Sequence, residues 1–497
     1  MHRVSPVFLL AAVVVGICHA DDLPRSTPEA QGIAAADLVV LVDALDAHGD
    51  AASADGVHSV MLVRHGHVVA EGWWAPYTAA HRHQLYSLSK SFTATAVGIA
   101  AAEGRLSADD TVLGFFPDEA PAEPSANLRE MRVTDLLRMA TGQQTEPPRK
   151  EGAGWIRQFL AHPVPFKPGT HFLYNTAATY MQSAVVQKAT GLTLLDYLGP
   201  RLFAPLAIEG ATWEESPEGI STGGFGLSIR TGDIASFGQL LLDRGQWRGR
   251  QLVPAEWIDA ATSRQVANGS NPDSDWDQGY GYQFWRCRHG AFRGDGAFGQ
   301  FCVVLPQEDA VVAITAGTRD MQGILTILWR HLLPALRAAA LPPDDAGNAR
   351  LRERLAALAV PRPGAGAPPA ALVGRTFRFP DNAAGIESLR LEPTRGEGDA
   401  AVHLVLASAG GEQRIPLGTD RFVASSVAWG GKPPEPAAVA LGREGEECVV
   451  RICFVETPYV TTLRLRPDGT GVRLSGGTNV GFSPTKFPDL VGTSTTE

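Results

Sequence analysis

A serine and a lysine stand one helical turn apart in a segment that is apolar almost throughout. They are Ser87 and Lys90, in the run Tyr86-Ser-Leu-Ser-Lys-Ser-Phe-Thr-Ala-Thr-Ala-Val-Gly-Ile-Ala100. Residues at this spacing share one face of a helix and can touch. A lysine whose pKa is lowered by burial or by neighbouring charge can accept the proton of a serine hydroxyl. The pair therefore predicts a nucleophilic serine that is activated without histidine.

Two other motifs compete for the role of nucleophile. Ser483-Pro-Thr-Lys486 also matches Ser-x-x-Lys, but its serine precedes a proline in a turn-rich segment, so the lysine is not held one helical turn away. Ser221 lies in Gly-Ile-Ser-Thr-Gly, but a nucleophile elbow needs a hydrophobic strand before the serine, and the polar residues 214–218 precede it. Both motifs therefore lack the context that the chemistry requires.

The alternative for the first pair is structural. Ser87 could cap a core helix while Lys90 extends its amine to solvent. The helix that follows is apolar nearly all round, which is typical of a buried helix. Polar groups inside such a helix need partners, so the two side chains are expected to contact each other or a third group.

Length and composition set the class of molecule. The chain has 497 residues, more than one hydrophobic core commonly serves, so two domains are expected. With 44% apolar and 19% charged residues, it is an ordinary globular sequence. The net charge is -10 and no Lys/Arg cluster occurs, so nucleic acid is not an expected partner. No later apolar run reaches membrane-spanning length, and a stable membrane span is not predicted.

Residues 1–20 have the layout of a cleavable signal peptide. His2 and Arg3 precede an apolar stretch over residues 7–17, and the small Ala20 stands just before two aspartates. The protein is therefore expected to be exported, to the periplasm or the extracellular space. Lipid anchoring would use Cys18, but the bulky residue before it disfavours that alternative.

The cysteines that follow the signal peptide match no zinc pattern. Cys287 and Cys302 flank a predicted turn, and either a disulfide or two buried thiols would fit their positions. Cys448 and Cys453 are expected on opposite faces of one strand, where they cannot bond to each other.

Two pairs of histidines, His65/His67 and His81/His83, could each place two imidazoles on one strand face. Neither pair has a carboxylate or cysteine at ligand spacing, so solvent-facing histidines are expected rather than a metal site. No metal and no cofactor are predicted.

The predicted elements indicate one sheet flanked by helices, in a mixed α/β arrangement. Strands are predicted at residues 57–63, 67–73, 281–287, 300–305 and 310–315. Besides the helix that carries Lys90, helices are predicted at residues 37–46, 133–139, 177–190, 193–203, 234–242, 254–261 and 321–336. The N-terminal hairpin and the later strands are expected to meet in one sheet.

The composition changes after residue 340. Residues 341–369 are rich in Ala, Pro and Gly and are predicted to form a linker. Residues 370–497 contain short alternating segments separated by Gly, Pro and Asp turns, which predict an all-β domain, either a sandwich or a lipocalin-like barrel.

Several ordered segments resemble the serine hydrolases related to class C β-lactamases, D-Ala-D-Ala carboxypeptidases and 6-aminohexanoate-dimer hydrolase. They are residues 85–93, 133–142, 167–177, 223–238 and 294–300, including Lys167-Pro-Gly-Thr-His-Phe-Leu-Tyr-Asn-Thr-Ala177 and Gly294-Asp-Gly-Ala-Phe-Gly-Gln300. The resemblance covers residues 25 to 340. It implies a β-lactamase/transpeptidase-like antiparallel sheet flanked by helices, with an all-helical subdomain, in a hydrolase domain over residues 21–340.

The same resemblance implies roles for individual residues. Ser87 matches the family nucleophile and Lys90 its proton partner. Tyr174, in Tyr-Asn-Thr, matches a tyrosine that relays a proton between serine and leaving group when an ammonium stabilises its phenolate. Thr176 stands where the family has asparagine, so it offers a hydroxyl but no amide to a substrate carbonyl.

The third family segment, Lys/His-x-Gly, is Ala297-Phe-Gly299 here. Gly299 lets a substrate backbone approach closely. The backbone N–H groups of Ser87 and Gln300 are implied as the oxyanion hole, which needs no particular side chain. The cation or imidazole that would bind a substrate carboxylate is absent at Ala297, and Arg293 is the arginine nearby in sequence.

The sequence therefore predicts an exported serine hydrolase that cleaves ester or amide bonds of small molecules through an acyl-enzyme on Ser87. A β-lactamase or D-Ala-D-Ala carboxypeptidase, which would bind penicillin or cell-wall peptides, is the first alternative. The second is a non-catalytic module that binds a cell-wall or peptide ligand. The missing cation at Ala297 favours an esterase or amidase over the first alternative, and the presence of Ser87, Lys90 and Tyr174 together argues against the second.

Overall fold

The computed structural model describes residues 23–150, 152, 154–382, 384–394 and 402–495. The predicted signal peptide over residues 1–20, together with Cys18, lies outside this range. Within the described residues, every helix falls short of the length and apolarity that crossing a bilayer requires.

The strands of the N-terminal part form one large and two small antiparallel sheets. In chain order they are β1 (Gly56–Arg64), β2 (His67–Trp73), β3 (His83–Gln84), β4 (Thr212–Trp213), β5 (Leu227–Ile229), β6 (Gln246–Trp247), β7 (Arg250–Gln251), β8 (Trp285–Arg286), β9 (Phe292–Gly296), β10 (Gln300–Leu305) and β11 (Ala310–Gly317). The large sheet has the order β2-β1-β11-β10-β9-β8, so the N-terminal hairpin meets the later strands as predicted.

Helices cover both faces of this sheet and build a helical region between β3 and β8. They are α1 (Ala35–Asp46), α2 (Ser89–Ala102), α3 (Val112–Phe115), α4 (Ala126–Glu130), α5 (Val133–Leu137), α6 (Trp155–Ala161), α7 (Thr176–Thr190), α8 (Leu194–Leu198), α9 (Thr231–Leu242), α10 (Ala255–Thr262), α11 (Met321–Ile327) and α12 (Asp345–Ala356). This is the predicted β-lactamase/transpeptidase-like arrangement.

Alternation along the central strands divides the interior into two cores. On β10, Cys302 and Val304 point into the core shared with α2 and α9, whereas Phe301 and Val303 point into the core shared with α1 and α11. Successive side chains of a strand face opposite sides of a sheet, so a fully apolar strand such as β10 is expected to have helices on both faces.

Three predicted elements differ in extent from the structure. Predicted strand 281–287 is reduced to β8, because Gln283 has a φ of 66° that a strand cannot contain, and its side chain donates to the carbonyls of Leu136 and Leu137. Predicted helix 193–203 is α8 followed by a π-helical turn at Gly199–Phe203. Predicted helix 321–336 is α11 followed by a π turn and by a 3-10 turn at Leu333–Ala335, which contains a proline.

The segment predicted as a linker, residues 341–369, contains α12. This helix packs on α1 through the buried Leu351. Arg354 of α12 donates to Asp43 at 2.6 Å and forms an ion pair with Asp46 at 2.5 Å, both of which belong to α1. The part of this segment around α12 is therefore attached to the N-terminal domain.

The C-terminal strands form a nearly closed antiparallel barrel. They are β12 (Thr376–Arg378), β13 (Ile386–Pro393), β14 (Val402–Ser408), β15 (Gly411–Leu417), β16 (Val423–Val427), β17 (Glu435–Glu444), β18 (Glu447–Phe454), β19 (Val460–Asp468), β20 (Gly471–Thr478) and β21 (Lys486–Thr495). Their order runs β15-β14-β13-β12-β21-β20-β19-β18-β17-β16, and a bridge from Gly418 to Ala440 brings its two ends together. The lipocalin-like alternative is therefore the one that the chain adopts.

The barrel is fixed against the hydrolase domain by backbone and side-chain hydrogen bonds. The Asn479 amide donates to the carbonyl of Gly317 at 2.9 Å, and the Gln84 N–H donates to the carbonyl of Glu456 at 2.8 Å. Glu456 also pairs with Arg82 at 3.3 Å. These bonds attach the barrel to the end of β11 and to β3, close to the start of α2.

The four cysteines among the described residues are free and buried. Cys287 and Cys302 are therefore two thiols, the second of the two alternatives. Cys448 packs inside the barrel, whereas Cys453 on the same strand packs against the hydrolase domain. Their opposite orientation was predicted from the period of a strand.

Candidate active site

Ser87 and Lys90 lie together at the head of α2. Ser87 belongs to the 3-10 turn Tyr86–Leu88 that leads into the helix, and Lys90 is in its first turn. The Lys90 Nζ atom is 3.0 Å from Ser87 Oγ and donates to the carbonyl of Gly224 at 2.6 Å. The lysine is 1% exposed, so its amine does not reach out to solvent. The structural alternative for this pair is therefore wrong.

The residue before Ser87 holds the backbone in a rare conformation. Tyr86 has a φ of 48°, a region that bulky L-residues avoid. Such a residue costs about 1–3 kcal/mol and persists only where its surroundings over-determine it. Here the Tyr86 ring packs edge-on against Phe298, and its hydroxyl contacts that of Tyr459. The turn that presents Ser87 is thus supported from both domains.

Burial changes the acid–base character of Lys90. It lowers the pKa of the amine from 10.5 to about 7, while Glu146 and Asp295 raise this pKa and Arg149 lowers it. The desolvated ammonium is disfavoured because few charges compensate it. A substantial part of the protein therefore carries a neutral Lys90 amine at neutral pH, with a lone pair available next to Ser87.

Tyr174 is positioned by the helix that follows it. The Asn175 side chain accepts from the Ala178 N–H at 3.1 Å and so caps α7. Tyr174 lines the same cleft as Ser87, and the Lys90 amine lies 5.0 Å from the centre of its ring. Thr176 is the first residue of α7 and lines the same cleft. The predicted Ser87, Lys90 and Tyr174 are thus brought together.

Burial raises the pKa of Tyr174 well above its usual range, Asp295 raises it further, and the hydrogen bond to Ser87 lowers it. The phenol therefore stays protonated at neutral pH. This differs from the expected phenolate stabilised by an ammonium, because burial and the nearby Asp295 both disfavour a charged phenolate.

A tight turn joins β9 and β10 across the cleft from α7. Gly299 has a φ of 96°, and a Cβ atom there would lie 2.9 Å from the Ala316 Cβ, so the turn requires glycine. The Gln300 side chain donates to the carbonyls of Ala316 and Ala297, which holds the turn against β11. Ala297 lines the cleft and contributes no charge.

The cleft in front of Ser87 has a volume of about 860 Å³ and carries more acidic than basic groups. Glu146, Glu214 and Asp295 line it. Arg149 is the arginine that lines it in the described part of the chain, and its guanidinium is paired with Glu146. Arg293, the nearby arginine in the sequence, is fully buried and pairs with Asp295 at 2.8 Å, so its guanidinium is not exposed to a substrate.

The two competing serine motifs, around Ser221 and around Ser483, do not form a second active site. Ser221 is 0% exposed, so its hydroxyl cannot reach a substrate. Ser483 and Lys486 lie on the barrel, in and after the turn that precedes β21. Among the residues that the structure describes, His, Cys, Asp and Glu side chains form no group of three that could bind a metal ion.

One histidine prediction is wrong. His83 was expected to face solvent, but it is 3% exposed and its Nε2 lies 3.2 Å from Nδ1 of the buried His58. The reason is that β3 pairs with β5 and turns this ring inward, toward the stacked rings of His58 and Tyr77.

Sequence reasoning missed several groups that line the cleft. Asp295 lies in the Gly-Asp-Gly segment that carried the resemblance. The sequence therefore placed it near the site, but it did not predict that its carboxyl lines the cleft. Arg149 and Glu146 sit in a loop without a motif. Tyr459 and Phe482 belong to the barrel, and only the docking of the two domains brings them to Ser87.

The fold, with a serine hydroxyl beside a buried lysine amine at the head of a core helix, is that of a serine hydrolase. The chain belongs to the beta-lactamase family, whose sequence model matches residues 41–332. It is 27% identical over 278 residues to the 6-aminohexanoate-dimer hydrolase of Paenarthrobacter ureafaciens, a match that covers 51% of this chain and 70% of that protein.

Two further similarities were found, one to a curated protein and one to a solved fold. A D-aminopeptidase of Brucella anthropi is 28% identical over 167 residues, which cover 31% of this chain and 32% of that protein. The fold is similar to that of an assigned 6-aminohexanoate-dimer hydrolase from Bacillus anthracis, with a TM-score of 0.52 and 20% identity, over 65% of this chain and 89% of the other.

Proposed function

We propose that the protein hydrolyses ester or amide bonds of small molecules through an acyl-enzyme on Ser87. One observation carries this proposal: a lysine amine with a pKa of about 7 lies 3.0 Å from a serine hydroxyl that opens onto a cleft of about 860 Å³. A nucleophile and its base within hydrogen-bonding reach are the minimum for acyl transfer.

In the acylation step, Ser87 Oγ attacks the acyl carbon and neutral Lys90 takes the hydroxyl proton. The carbonyl π electrons move to the oxygen, which the backbone N–H groups of Ser87 and Gln300 receive in this proposal. The tetrahedral intermediate then collapses, and the bond to the leaving group breaks. Tyr174 gives its phenolic proton to the leaving oxygen or nitrogen and regains one from the Lys90 ammonium.

Deacylation reverses these proton transfers. Water takes the place of the leaving group next to Tyr174, and its oxygen attacks the acyl carbon while its proton passes through that hydroxyl to Lys90. The carbonyl π electrons move to the carbonyl oxygen as in acylation. The new tetrahedral intermediate expels Ser87 Oγ, which recovers its proton from the lysine. The carboxylic acid leaves, and Ser87 and Lys90 return to their starting protonation states.

The charges of the cleft favour neutral or cationic substrates over carboxylates. Ala297 provides no cation. Arg293 forms an ion pair with Asp295, and Arg149 forms one with Glu146, so neither guanidinium is left with an uncompensated charge. A substrate carboxylate would also face Glu214, which lines the cleft and accepts from Gln84 at 2.8 Å. Like charges disfavour such a ligand. Relatives named as a 6-aminohexanoate-dimer hydrolase and a D-aminopeptidase support the proposed hydrolase chemistry.

A panel of chromogenic substrates tests the proposal. Purified protein is expected to hydrolyse p-nitrophenyl acetate or D-alanine p-nitroanilide with saturation kinetics, and nitrocefin with a kcat/KM about 10²-fold lower, the loss typical of a missing charge-assisted hydrogen bond. The alternative is a β-lactamase or D-Ala-D-Ala carboxypeptidase, in which Arg149 would have to leave Glu146 to bind a substrate carboxylate. If nitrocefin were the best substrate, or penicillin gave a stable adduct, that alternative would replace the proposal.

Replacing the Tyr174 hydroxyl is expected to slow turnover while leaving the fold intact. Tyr174→Phe should lower kcat for an amide substrate by about 10²-fold, because the leaving nitrogen then lacks its proton donor. Tyr180→Phe is the matched control, since Tyr180 lies on α7 and its hydroxyl contacts Ser216 at 3.1 Å instead of Ser87. Equal kcat values for the two variants would exclude Tyr174 from the proton transfers.

The pH profile should report the titration of Lys90. The amine is the base only when neutral, and burial lowers its pKa to about 7. We therefore expect kcat/KM to fall about tenfold per pH unit below pH 7 and to level off above it. The pKa of Tyr174 lies well above this range, so its phenol stays protonated on the plateau. A flat profile between pH 5.5 and 8, with the fold intact by circular dichroism, would contradict Lys90 as the base.

We further infer export from the composition of residues 1–20. Sequencing the N-terminus of the protein recovered from the medium or periplasm is expected to give a chain that begins at Asp21. Recovery of the full-length chain inside the cell would contradict this inference.

A further inference from the structure

Two side chains of the barrel line the cleft that contains Ser87. Tyr459 lies directly before β19, and Phe482 lies in the turn between β20 and β21. Both border the same cavity as Ser87, Tyr174 and Ala297. The hydrolase domain therefore does not complete the cleft by itself, and the barrel supplies part of its wall.

These two rings join two rings of the hydrolase domain in one aromatic cluster. The ring centres of Phe298 and Phe482 are 4.8 Å apart, those of Tyr86 and Phe298 are 5.5 Å apart, and those of Tyr86 and Phe482 are 5.6 Å apart. The Tyr459 ring lies 6.1 Å from that of Phe298. Tyr86 is the chain neighbour of Ser87 and Phe298 that of Gly299, so the cluster begins next to the nucleophile.

Phe482 is exposed far beyond what packing requires. The residue is 74% exposed, the highest value among the large apolar side chains of the described residues. Val491, another exposed apolar residue of the barrel, is 47% exposed. A phenyl ring that packs on aromatic neighbours at one side and faces water at the other presents a surface for an apolar ligand. A second cavity of about 340 Å³ on the barrel also borders Tyr459 and Phe482. The two rings therefore contribute to the walls of both cavities.

The position of Tyr174 indicates which part of the substrate meets this cluster. Tyr174 packs on Trp285 and Tyr280, with ring centres 5.3 and 6.3 Å away. The leaving group must lie next to Tyr174 to receive its proton. The other side of the scissile bond, the acyl group, is then the part directed to the rings of the cluster.

We propose that Tyr86, Tyr459 and Phe482, packed on the buried ring of Phe298, form an aromatic subsite, built jointly by the two domains, that binds an aryl or long alkyl acyl group of the substrate. This inference rests on the proposed acyl transfer to Ser87. It assigns the barrel a role in substrate selection and names the preferred substrates as esters and amides of apolar carboxylic acids.

The test compares two esters with one leaving group, p-nitrophenyl acetate and p-nitrophenyl octanoate, on wild type and Phe482→Ala. We expect kcat/KM for the octanoate to fall about tenfold through a higher KM, and that for the acetate to change less than about twofold, since an acetyl group ends before the rings. Phe482→Tyr should retain the preference for octanoate. Val491→Ala, an exposed apolar residue of β21, is the control and should leave both values unchanged.

Equal losses for both esters, or no loss for either, would overturn the subsite. The melting temperature of Phe482→Ala should stay within about 2 °C of wild type, because the side chain is exposed. The two proposals fail in different ways. If Ser87→Ala still hydrolyses the acetate ester, the proposed function is contradicted. If wild type has no higher kcat/KM for the octanoate ester than for the acetate ester, only the aromatic subsite is contradicted.

Discussion

Replacing Ser87 by alanine is expected to lower kcat for ester hydrolysis by about 10⁴-fold or more, the loss found when the nucleophile of a serine hydrolase is removed. The physical reason is that Oγ forms the covalent bond to the acyl group, and no described side chain in the cleft can take its place at the Lys90 amine. Ser87 is only half-buried, and the change removes one atom, so the fold should persist. Initial rates with p-nitrophenyl acetate measure the effect.

Ser221→Ala is the matched control for this change. It removes the same atom from the other serine that a sequence motif singles out, at a site that is 0% exposed. Activity should remain within about threefold of wild type if the protein folds. If Ser87→Ala were active and Ser221→Ala were folded but inactive, the nucleophile would be Ser221, and the assignment of Ser87 would be wrong.

Removing the Lys90 amine is expected to cost nearly as much. Lys90→Met keeps an unbranched side chain that is one heavy atom shorter, and it should lower kcat/KM by about 10³-fold, within the range for a lost general base. Lys90→Arg separates a base from a cation, because guanidinium stays protonated and cannot accept the serine proton. Both variants should therefore be inactive, and the break in the pH profile near pH 7 should disappear from any residual activity.

Lys486→Met controls for the loss of a lysine as such. Lys486 is the lysine of the second Ser-x-x-Lys segment and lies on the barrel at the start of β21. Its replacement should leave kcat/KM unchanged. Substantial activity in Lys90→Arg would show that the site needs only a positive charge at this position, contrary to the proposed proton transfer.

The Ser87–Lys90 pair could be predicted because its geometry is local. A spacing of three residues, from the 3-10 turn into the first turn of α2, brings the two side chains together. The central sheet could be predicted for a similar reason, since β10 and β11 are continuous apolar runs that require cover on both faces. The role of Tyr174 was predicted from the resemblance alone. The structure adds a physical reason for its position, because the next residue, Asn175, caps α7 and so fixes the backbone beside Tyr174.

Other parts of the site depend on contacts between distant segments. Tyr459 meets Tyr86 only because the barrel docks on β3 and β11, and neither segment carries a signal of that contact. The protonated state of Tyr174 depends on burial that the local sequence does not determine. Helix α12 was not predicted, because the residues around it are rich in proline and alanine and indicated a linker. Its attachment to α1, through the pair of Arg354 with Asp43, joins segments that are far apart in the sequence.

The most direct test of the central claim is to trap the nucleophile as a covalent adduct, either the acyl-enzyme or its phosphonyl counterpart, and to map it. Wild type is incubated with a fluorophosphonate or a slowly deacylating p-nitrophenyl ester, and its intact mass and tryptic peptides are measured. We expect one adduct per chain, on Ser87, formed faster above pH 7 than at pH 6 and absent from Ser87→Ala. An adduct on Ser221, Ser483 or any other residue, or equal labelling of the Ser87→Ala variant, would contradict the account.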